Sequence, residues 1–489
     1  MIRHITLSLV ASTTLIMGAS NAELEAMLLE MKKEFGAYKV AQDKKYDALK
    51  SQVSTKKKSA NTKSSEKKLA KKTFTKKKNK PKVIEETISE DILVENDMLN
   101  PEVSEKSDTF ESFSDLGLAA SKVYTSESAL SIGGYAELKA KKHRGFKNFA
   151  NGTNNDTRNR LETNVVRFVP YFGYKFNDWI VMNTEIEFED GGARSDNGKN
   201  YKYAIVEFSY VDFMFDEKYN LRVGHVLTPF GNVNLNHEPV AFLTAERPLV
   251  ETFVIPSTWH TNGALMFGSY KDFDYYAGVI TSPNAGKFVE GRFIQQGRLG
   301  ARQFTDDFSA VARLNYTGIP GIELGGSVLY GATTVLAQDK PGSSINTLDA
   351  DATLFMGEVH ASYKENGWNV QALAAFGSLG DDYENLNTTT STISGSVNGQ
   401  YLTVGYDMLN TVNTEQKLYA VAEVERLDLD ADDETGTPDN YKFNEYTLGL
   451  AYFPDPKVVI KAEYNVKDYV EGSQLADEEA FTASLGYIF

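Results

Sequence analysis

From residue 131 to the C-terminus, apolar and polar residues alternate in segments of about ten residues, which is the length of a membrane-crossing β-strand. In the segment 180–189, Ile180, Met182 and Ile186 alternate with Asn183 and Glu185. Alternation with a period of two indicates a strand whose two faces meet different environments. The same pattern recurs in the segments 166–176, 308–316, 368–376, 458–466 and 481–489.

The apolar faces of these segments repeatedly end in an aromatic residue. A soluble β-sandwich also alternates, but aromatic residues at strand ends are typical of the two membrane interfaces of a transmembrane barrel. The pattern therefore predicts an all-β fold, a transmembrane antiparallel β-barrel of about 16 strands over residues 131–489. The aromatic strand ends are Tyr174, Tyr316, Tyr330, Tyr363, Phe376, Tyr452 and Tyr464.

The chain ends on the alternating stretch FTASLGYIF, with Phe489 as its last residue. Chain ends normally fray and carry polar residues. A closed barrel has no free edge, so its last strand pairs with its first. We therefore expect EAFTASLGYIF to pair with SIGGYAELKA near residue 131.

Three segments of different composition precede the barrel. Residues 1–22 combine a basic start, a short apolar run and a final Ser-Asn-Ala, which predicts a cleaved signal peptide. Residues 23–55 carry apolar residues at alternating spacings of three and four, which fits a coiled-coil stalk or a single amphipathic helix. Residues 56–130 are predicted to be a disordered linker, Lys-rich over 56–82 and then acidic. The Lys-rich part is either a solvated spacer or a contact to an anionic polymer such as peptidoglycan.

Composition removes several classes of protein. The 489 residues include 0 Cys, and the mean hydropathy of −0.37 excludes a bundle of membrane-spanning helices. His225, His237 and His260 show no metal-ligand spacing, and no glycine pair has the context of a phosphate-binding loop. We therefore predict no enzyme, no cofactor, no metal and no nucleic-acid partner.

The segment 228–261 is the longest stretch with little strand pattern, and its four prolines exclude a regular interior strand. Long loops without secondary structure are usually functional. We predict that it folds into the barrel and narrows it; the alternative is an outer loop at a subunit interface. The candidate residues of the constriction and lumen are Arg167, Glu185, Glu187, Arg222, His237, Glu238, Arg247, Arg298, Arg302 and Arg313.

The charge of the barrel segment bears on the solute. The chain has a net charge of −16, and residues 131–489 hold 48 acidic against 29 basic residues. Acidic residues in a narrow aqueous path favour cations. A converging Arg cluster would oppose them, because distant loop charges are screened. The balance predicts a weak cation preference rather than phosphate specificity.

The stretches IGGYAEL, KVVIKAEY and FTASLGYIF, together with 222–268, resemble the phosphate- and polyphosphate-selective porins O and P of Gram-negative outer membranes. The resemblance implies a homotrimer of 16-stranded barrels, some relatives having an N-terminal coiled coil, and passive diffusion of small hydrophilic solutes. It also implies that Tyr487 and Phe489 form the signal read by the outer-membrane assembly machinery. The expected surroundings are the lipid bilayer and lipopolysaccharide, with the N-terminal region in the periplasm. Phosphate or anion selectivity and an envelope tether on a barrel anchor remain as alternatives.

Overall fold

The structure is a computed structural model that describes residues 33, 112–144, 161–192, 194–196, 199–201, 204–300, 307–333, 352–380, 383–387, 392–475 and 477–489. The signal peptide, the stalk and the linker up to residue 111 lie outside the described residues, apart from the helical Lys33. No described helix is long and apolar enough to cross a membrane.

Sixteen antiparallel strands close into one barrel, which confirms the predicted fold class and strand number. A small hairpin of two further strands, β4 and β5, lies in the connection between β3 and β6. The strands are β1 (Leu130–Arg144), β2 (Leu161–Asn177), β3 (Ile180–Glu189), β4 (Arg194–Asp196), β5 (Lys199–Tyr201), β6 (Ile205–Asp216), β7 (Tyr219–Leu227), β8 (His260–Tyr270), β9 (Phe273–Thr281), β10 (Phe308–Ile319), β11 (Ile322–Thr333), β12 (Ala352–Glu365), β13 (Trp368–Gly380), β14 (Ser396–Asp407), β15 (Lys417–Asp428), β16 (Lys442–Asp455), β17 (Val458–Tyr469) and β18 (Glu478–Ile488).

Helical segments are few in the described part of the chain. The helix α1 (Leu118–Thr125) precedes the barrel, and Val250–Val254 forms a single π-helical turn. Short 3₁₀ turns are Asp190–Gly192, Ala285–Lys287, Gln295–Gly297, Tyr383–Leu386 and Pro438–Tyr441.

Short and long connections alternate around the barrel. The strands β6 and β7 are joined by residues 217–218 and β8 and β9 by residues 271–272, whereas residues 228–259 separate β7 from β8. The short turns share one end of the barrel with the start of β1 and the end of β18. The long connections lie at the other end of the barrel.

The predicted faces of the strands are confirmed. The outward positions Phe168, Phe172 and Phe376 are exposed, as lipid-facing side chains should be, whereas Asn183 and Lys461 are buried on the inner face. The alternation fails locally at Val166, because the pairing of β1 with β2 shifts by one residue there. The strand alternation therefore identifies the inner wall correctly.

The last strand closes the barrel onto the first, as the terminal pattern predicts. Strand β18 pairs with β1 from Tyr135 opposite Ile488 to Arg144 opposite Glu479. Beyond the strand, the N–H of Phe489 donates to the carbonyl of Gly134 (2.9 Å), and the Gly134 N–H donates to the Phe489 carbonyl (3.0 Å). The final residue thus completes the seam.

We expect deletion of Phe489 to reduce barrel assembly strongly, because it removes both of these backbone hydrogen bonds and the ring that stacks near Phe168 at 6.4 Å between centroids. Phe489→Asp keeps the backbone bonds and removes only the ring, and Phe489→Tyr is the matched control. The measurement is the yield of heat-modifiable folded protein on a denaturing gel. Wild-type yield from Phe489→Asp would refute a role for the terminal ring, and single-channel conductance of the assembled fraction should stay unchanged.

The described chain before β1 enters the barrel. Residues 112–129, including α1, fall within the range predicted to be a linker, yet Leu116, Ala119, Ala120 and Val123 are buried there. These side chains belong to the same apolar cluster as inward-facing residues of the wall. The barrel interior therefore contains a core of its own, to which this N-terminal segment contributes.

Candidate constriction site

The connection 228–259 crosses the barrel interior, and wall carboxylates accept hydrogen bonds from its backbone. Glu425 on β15 accepts from the N–H groups of Leu249 (2.8 Å) and Val250 (2.9 Å). Glu463 on β17 accepts from the Ala245 N–H at 2.6 Å. Prolines interrupt strand pairing in this connection, so its backbone donors need such partners. We call residues 228–259 the inner loop.

Further hydrogen bonds join the inner loop to strand β14 and hold the loop together internally. Glu251 accepts from the Val233 N–H (2.7 Å) and from the Tyr401 hydroxyl (2.6 Å) of β14. Asn234 closes the base of the loop, because its side chain accepts from the Trp259 N–H and donates to the Thr228 carbonyl, both at 2.7 Å. The loop is thus a closed, hydrogen-bonded structure rather than a free strand connection.

Glu246, at the far end of the inner loop, lies between two lysines of β1. Its carboxylate oxygens are 2.9 Å from Lys139 Nζ and 3.3 Å from Lys141 Nζ. Burial raises the pKa of Glu246, but the two ammonium groups outweigh burial and bring the pKa down to about 2. The ion pair therefore anchors the loop to β1 throughout the neutral range.

The low pKa of Glu246 predicts how this anchor responds to acid. A carboxyl with a depressed folded-state pKa stabilises the fold above its ordinary pKa, 4.5, and loses that contribution only as the pH falls through about 2. We expect steady open-channel current between pH 7 and pH 4. Glu246→Gln should show excess current noise throughout this range, because Lys139 and Lys141 lose their partner; equal noise in both proteins would contradict this role. Glu290→Gln, in another connection, is the control.

The inner loop also holds α1. The Glu238 carboxylate accepts hydrogen bonds from the backbone N–H groups of Ala119 (2.9 Å) and Ala120 (3.0 Å), which otherwise lack partners in the first turn of a helix. The Gly117 N–H donates to the Leu235 carbonyl at 3.2 Å. A Cβ at Gly117 would overlap the Glu238 carboxyl, so glycine permits this close approach.

Residues in α1 and just before it also form hydrogen bonds and ion pairs with the barrel wall. The Tyr124 hydroxyl donates to Asp212 of β6 at 2.6 Å, and Arg222 of β7 forms two hydrogen bonds of 2.9 Å to the same carboxylate. On β10, Arg313 Nε lies 3.3 Å from Asp115. Asp212 and Arg313 belong to β6 and β10, which are four strands apart in the wall. Residues 112–125 therefore lie against the inner face of this part of the wall, and we call them the plug segment.

One imidazole of the inner loop lies close to two carboxyl groups of the wall. His237 Nε2 lies 3.2 Å from Glu185 Oε1 of β3 and 3.3 Å from Glu207 Oε2 of β6. Its Nδ1 donates to the Asn234 carbonyl at 3.0 Å, because a carbonyl oxygen only accepts. Burial lowers the pKa of His237, but the two carboxylates outweigh it and raise the pKa to about 10.

Most inward arginines are neutralised by acids. Arg167 of β2 lies 3.3 Å from Glu137 and 3.9 Å from Glu187. Arg222 pairs with Asp212, and Arg313 pairs with Asp115. These seven side chains neutralise one another, so they leave little free charge in the water path.

Arg247 and Arg298 differ from the other inward arginines. Arg247 Nη2 donates to the His237 carbonyl (3.2 Å), and Arg298 donates to the carbonyls of Ser257 (3.2 Å) and Gln295 (3.0 Å). Among the described residues, neither guanidinium has a carboxylate within 4 Å, and both side chains are half-buried. Burial lowers the pKa of each from its ordinary value, and nearby carboxylates such as Glu207 act in the opposite direction. Arginine stays protonated, so two positive charges without a directly paired carboxylate remain in the interior.

The structure brings half of the predicted residues together. Arg167, Glu185, Glu187, His237 and Arg247 lie in one region, where the inner loop meets β2, β3 and β6. Glu238 contacts the plug segment, as do Arg222 of β7 and Arg313 of β10. Arg302 lies outside the described residues.

The sequence reasoning missed the plug segment and several wall acids. Asp212 and Glu425 occupy inward positions of alternating strands, so their orientation could have been read from the pattern. Asp115 lies in a stretch without periodicity, and no local signal identifies it as a partner of Arg313.

The chain is similar to several known proteins. The sequence model of the family described as phosphate-selective porin O and P matches residues 137–289. An uncharacterised protein of Aquifex aeolicus (strain VF5) is 29% identical over 395 residues, which cover 78% of this chain and 85% of that protein. Two solved structures that resemble it each cover 74% of this chain. They are the outer-membrane channel DcaP of Acinetobacter baumannii (TM-score 0.48, 13% identity, 97% of that chain) and an anion-selective porin from Comamonas acidovorans (TM-score 0.47, 10% identity, 100% of that chain).

The described strands close into a 16-stranded barrel, and residues 137–289 are similar to the family of phosphate-selective porins O and P.

Proposed function

We propose that the chain is an outer-membrane channel for passive diffusion of small hydrophilic solutes and ions, with its constriction formed by the inner loop and the plug segment. The observation that carries this proposal is the attachment of the inner loop to β1, β14, β15 and β17, which places it across the barrel interior. No catalytic step is proposed, and the residues of the loop serve to shape and charge the path.

Anion selectivity is the second candidate. It is favoured because the acidic residues of the wall are bound to other protein groups. The sequence predicts that inward acids favour cations, but Glu185, Glu187, Glu425 and Glu463 are buried and bound to the loop or to arginine. Carboxylates that are buried and bound in this way do little to concentrate cations in the water path. Arg247 and Arg298 have no directly paired carboxylate among the described residues, and a narrow path with low-dielectric walls strengthens their effect on a passing anion.

Planar bilayers test the channel directly. Purified full-length protein should give discrete conductance steps, and reversal potentials across a salt gradient should show which ion sign passes more easily. Absence of steps from heat-modifiable, folded protein would overturn the channel and favour the envelope tether.

The assembly and its surroundings are also part of the proposal. We propose a homotrimer in the outer membrane, contacting lipopolysaccharide, with residues 23–55 as a periplasmic coiled coil and the Lys-rich residues near peptidoglycan. A short seam adds modestly to association. Trimers lacking residues 23–55 should therefore still conduct.

A further inference from the structure

We propose that Glu185, Glu207 and His237 form a binding site for one divalent transition-metal cation of the Zn²⁺ class, which fastens the inner loop to β3 and β6. One ligand atom from each residue lies within 4.8 Å of the others, and all three residues are buried. The site lies where the inner loop meets β3 and β6, and its occupancy does not depend on which solute the channel passes.

The orientation of His237 is the first argument. Its Nδ1–H is held by the Asn234 carbonyl, so Nε2 faces Glu185 and Glu207. A cation bound between these three groups would take the place of the Nε2 proton. A metal-binding histidine typically donates its other ring N–H to a carbonyl or carboxylate, as His237 does to Asn234.

The unmet hydrogen-bonding capacity of the carboxylates is the second argument. Glu185 and Glu207 are both 0% exposed. Neither oxygen of Glu207 accepts a hydrogen bond from a described residue, and neither does Glu185 Oε2. Buried carboxylate oxygens without donors are costly, and coordination of a cation would satisfy them.

The distances are the third argument. Zn²⁺ binds imidazole nitrogen and carboxylate oxygen at about 2.0–2.2 Å in tetrahedral geometry, which sets neighbouring ligand atoms about 3.4 Å apart. His237 Nε2 is 3.2 Å from Glu185 Oε1 and 3.3 Å from Glu207 Oε2. The nitrogen ligand disfavours Ca²⁺ and Mg²⁺, which prefer sets of oxygen ligands.

The direct test is binding of Zn²⁺ to the full-length protein in detergent after removal of metal with a chelator. We expect one Zn²⁺ per protomer. Glu207→Gln and His237→Gln should each weaken binding by more than about tenfold, since each removes a direct ligand. His360→Gln is the matched control, because it removes a buried histidine from another part of the barrel wall. There His360 pairs with Glu358 at 2.9 Å. No bound Zn²⁺ in the wild type, or equal affinity in all four proteins, would overturn the proposal.

A crystal of the wild-type protein soaked in Zn²⁺ gives a second readout that needs no variant. An anomalous peak between His237 Nε2 and the two carboxylates is expected. Peaks only elsewhere, for example between His225 and His260, whose ring nitrogens lie 2.7 Å apart, would also overturn the assignment.

Discussion

Removal of residues 23–125 should raise the single-channel conductance severalfold. The plug segment lies inside the barrel against the wall from Asp212 of β6 to Arg313 of β10, so its loss clears part of the conducting cross-section. The measurement is the distribution of conductance steps in planar bilayers at one salt concentration. The sixteen strands begin after the deleted residues, so the barrel itself should remain closed.

Removal of residues 23–111 is the matched control for this truncation, because it keeps the plug segment and its contacts. We expect this control to conduct as the wild type does. Asp115→Ala combined with Tyr124→Ala keeps the full length and removes two of the wall contacts, so it should give fluctuating, intermediate steps. Equal conductance of both truncations would show that the plug segment does not restrict the path.

Replacement of Arg247 and Arg298 by Glu should change an anion preference into a cation preference. Both guanidinium groups lack a described carboxylate partner, so the double variant replaces two positive charges with two negative ones. The measurement is the reversal potential under a gradient of potassium chloride, whose sign should invert.

The control for this charge reversal is Arg292→Glu, which makes the same type of charge change at an exposed residue of the connection 282–307. An exposed charge is screened within about 8–10 Å at ordinary salt, so its effect should be small. An unchanged reversal potential in the Arg247 and Arg298 variant, or an equal shift in the control, would contradict the proposed role of the two arginines.

The sequence predicts the wall of this protein well and its interior poorly. Alternation identifies Glu185, Arg313 and Glu463 as inward residues, because a strand in a barrel has only two faces and one of them must meet lipid. The closing of β18 onto β1 follows from the same constraint, since a membrane-exposed edge has no partners for its backbone.

The contacts inside the barrel have no such periodic constraint. Whether Glu425 lines a water path or accepts backbone hydrogen bonds depends on where the inner loop lies, and its four prolines exclude regular structure without specifying another. For the same reason, the net charge alone does not determine the ion preference. An acid such as Glu463, bound to the Ala245 N–H, counts fully in the sum but contributes little to the field of an aqueous path.

The plug segment shows a further gap in sequence reasoning. Its eight-residue helix is too short to show a clear period, and it is stabilised by partners far along the chain, such as Glu238 and Asn183. Gly173 accommodates Val123 because a Cβ there would overlap that side chain. Complementarity of this kind is visible only once both segments are placed.

Glu425 and Glu463 accept hydrogen bonds from N–H groups of the inner loop, and this affects the design of chimeric porins. A graft of residues 228–259 into another barrel would carry donors whose acceptors belong to β15 and β17, some 160 residues or more downstream. The unit that can be exchanged between relatives is therefore not the loop alone. It is the loop together with a discontinuous set of strand positions on the opposite wall.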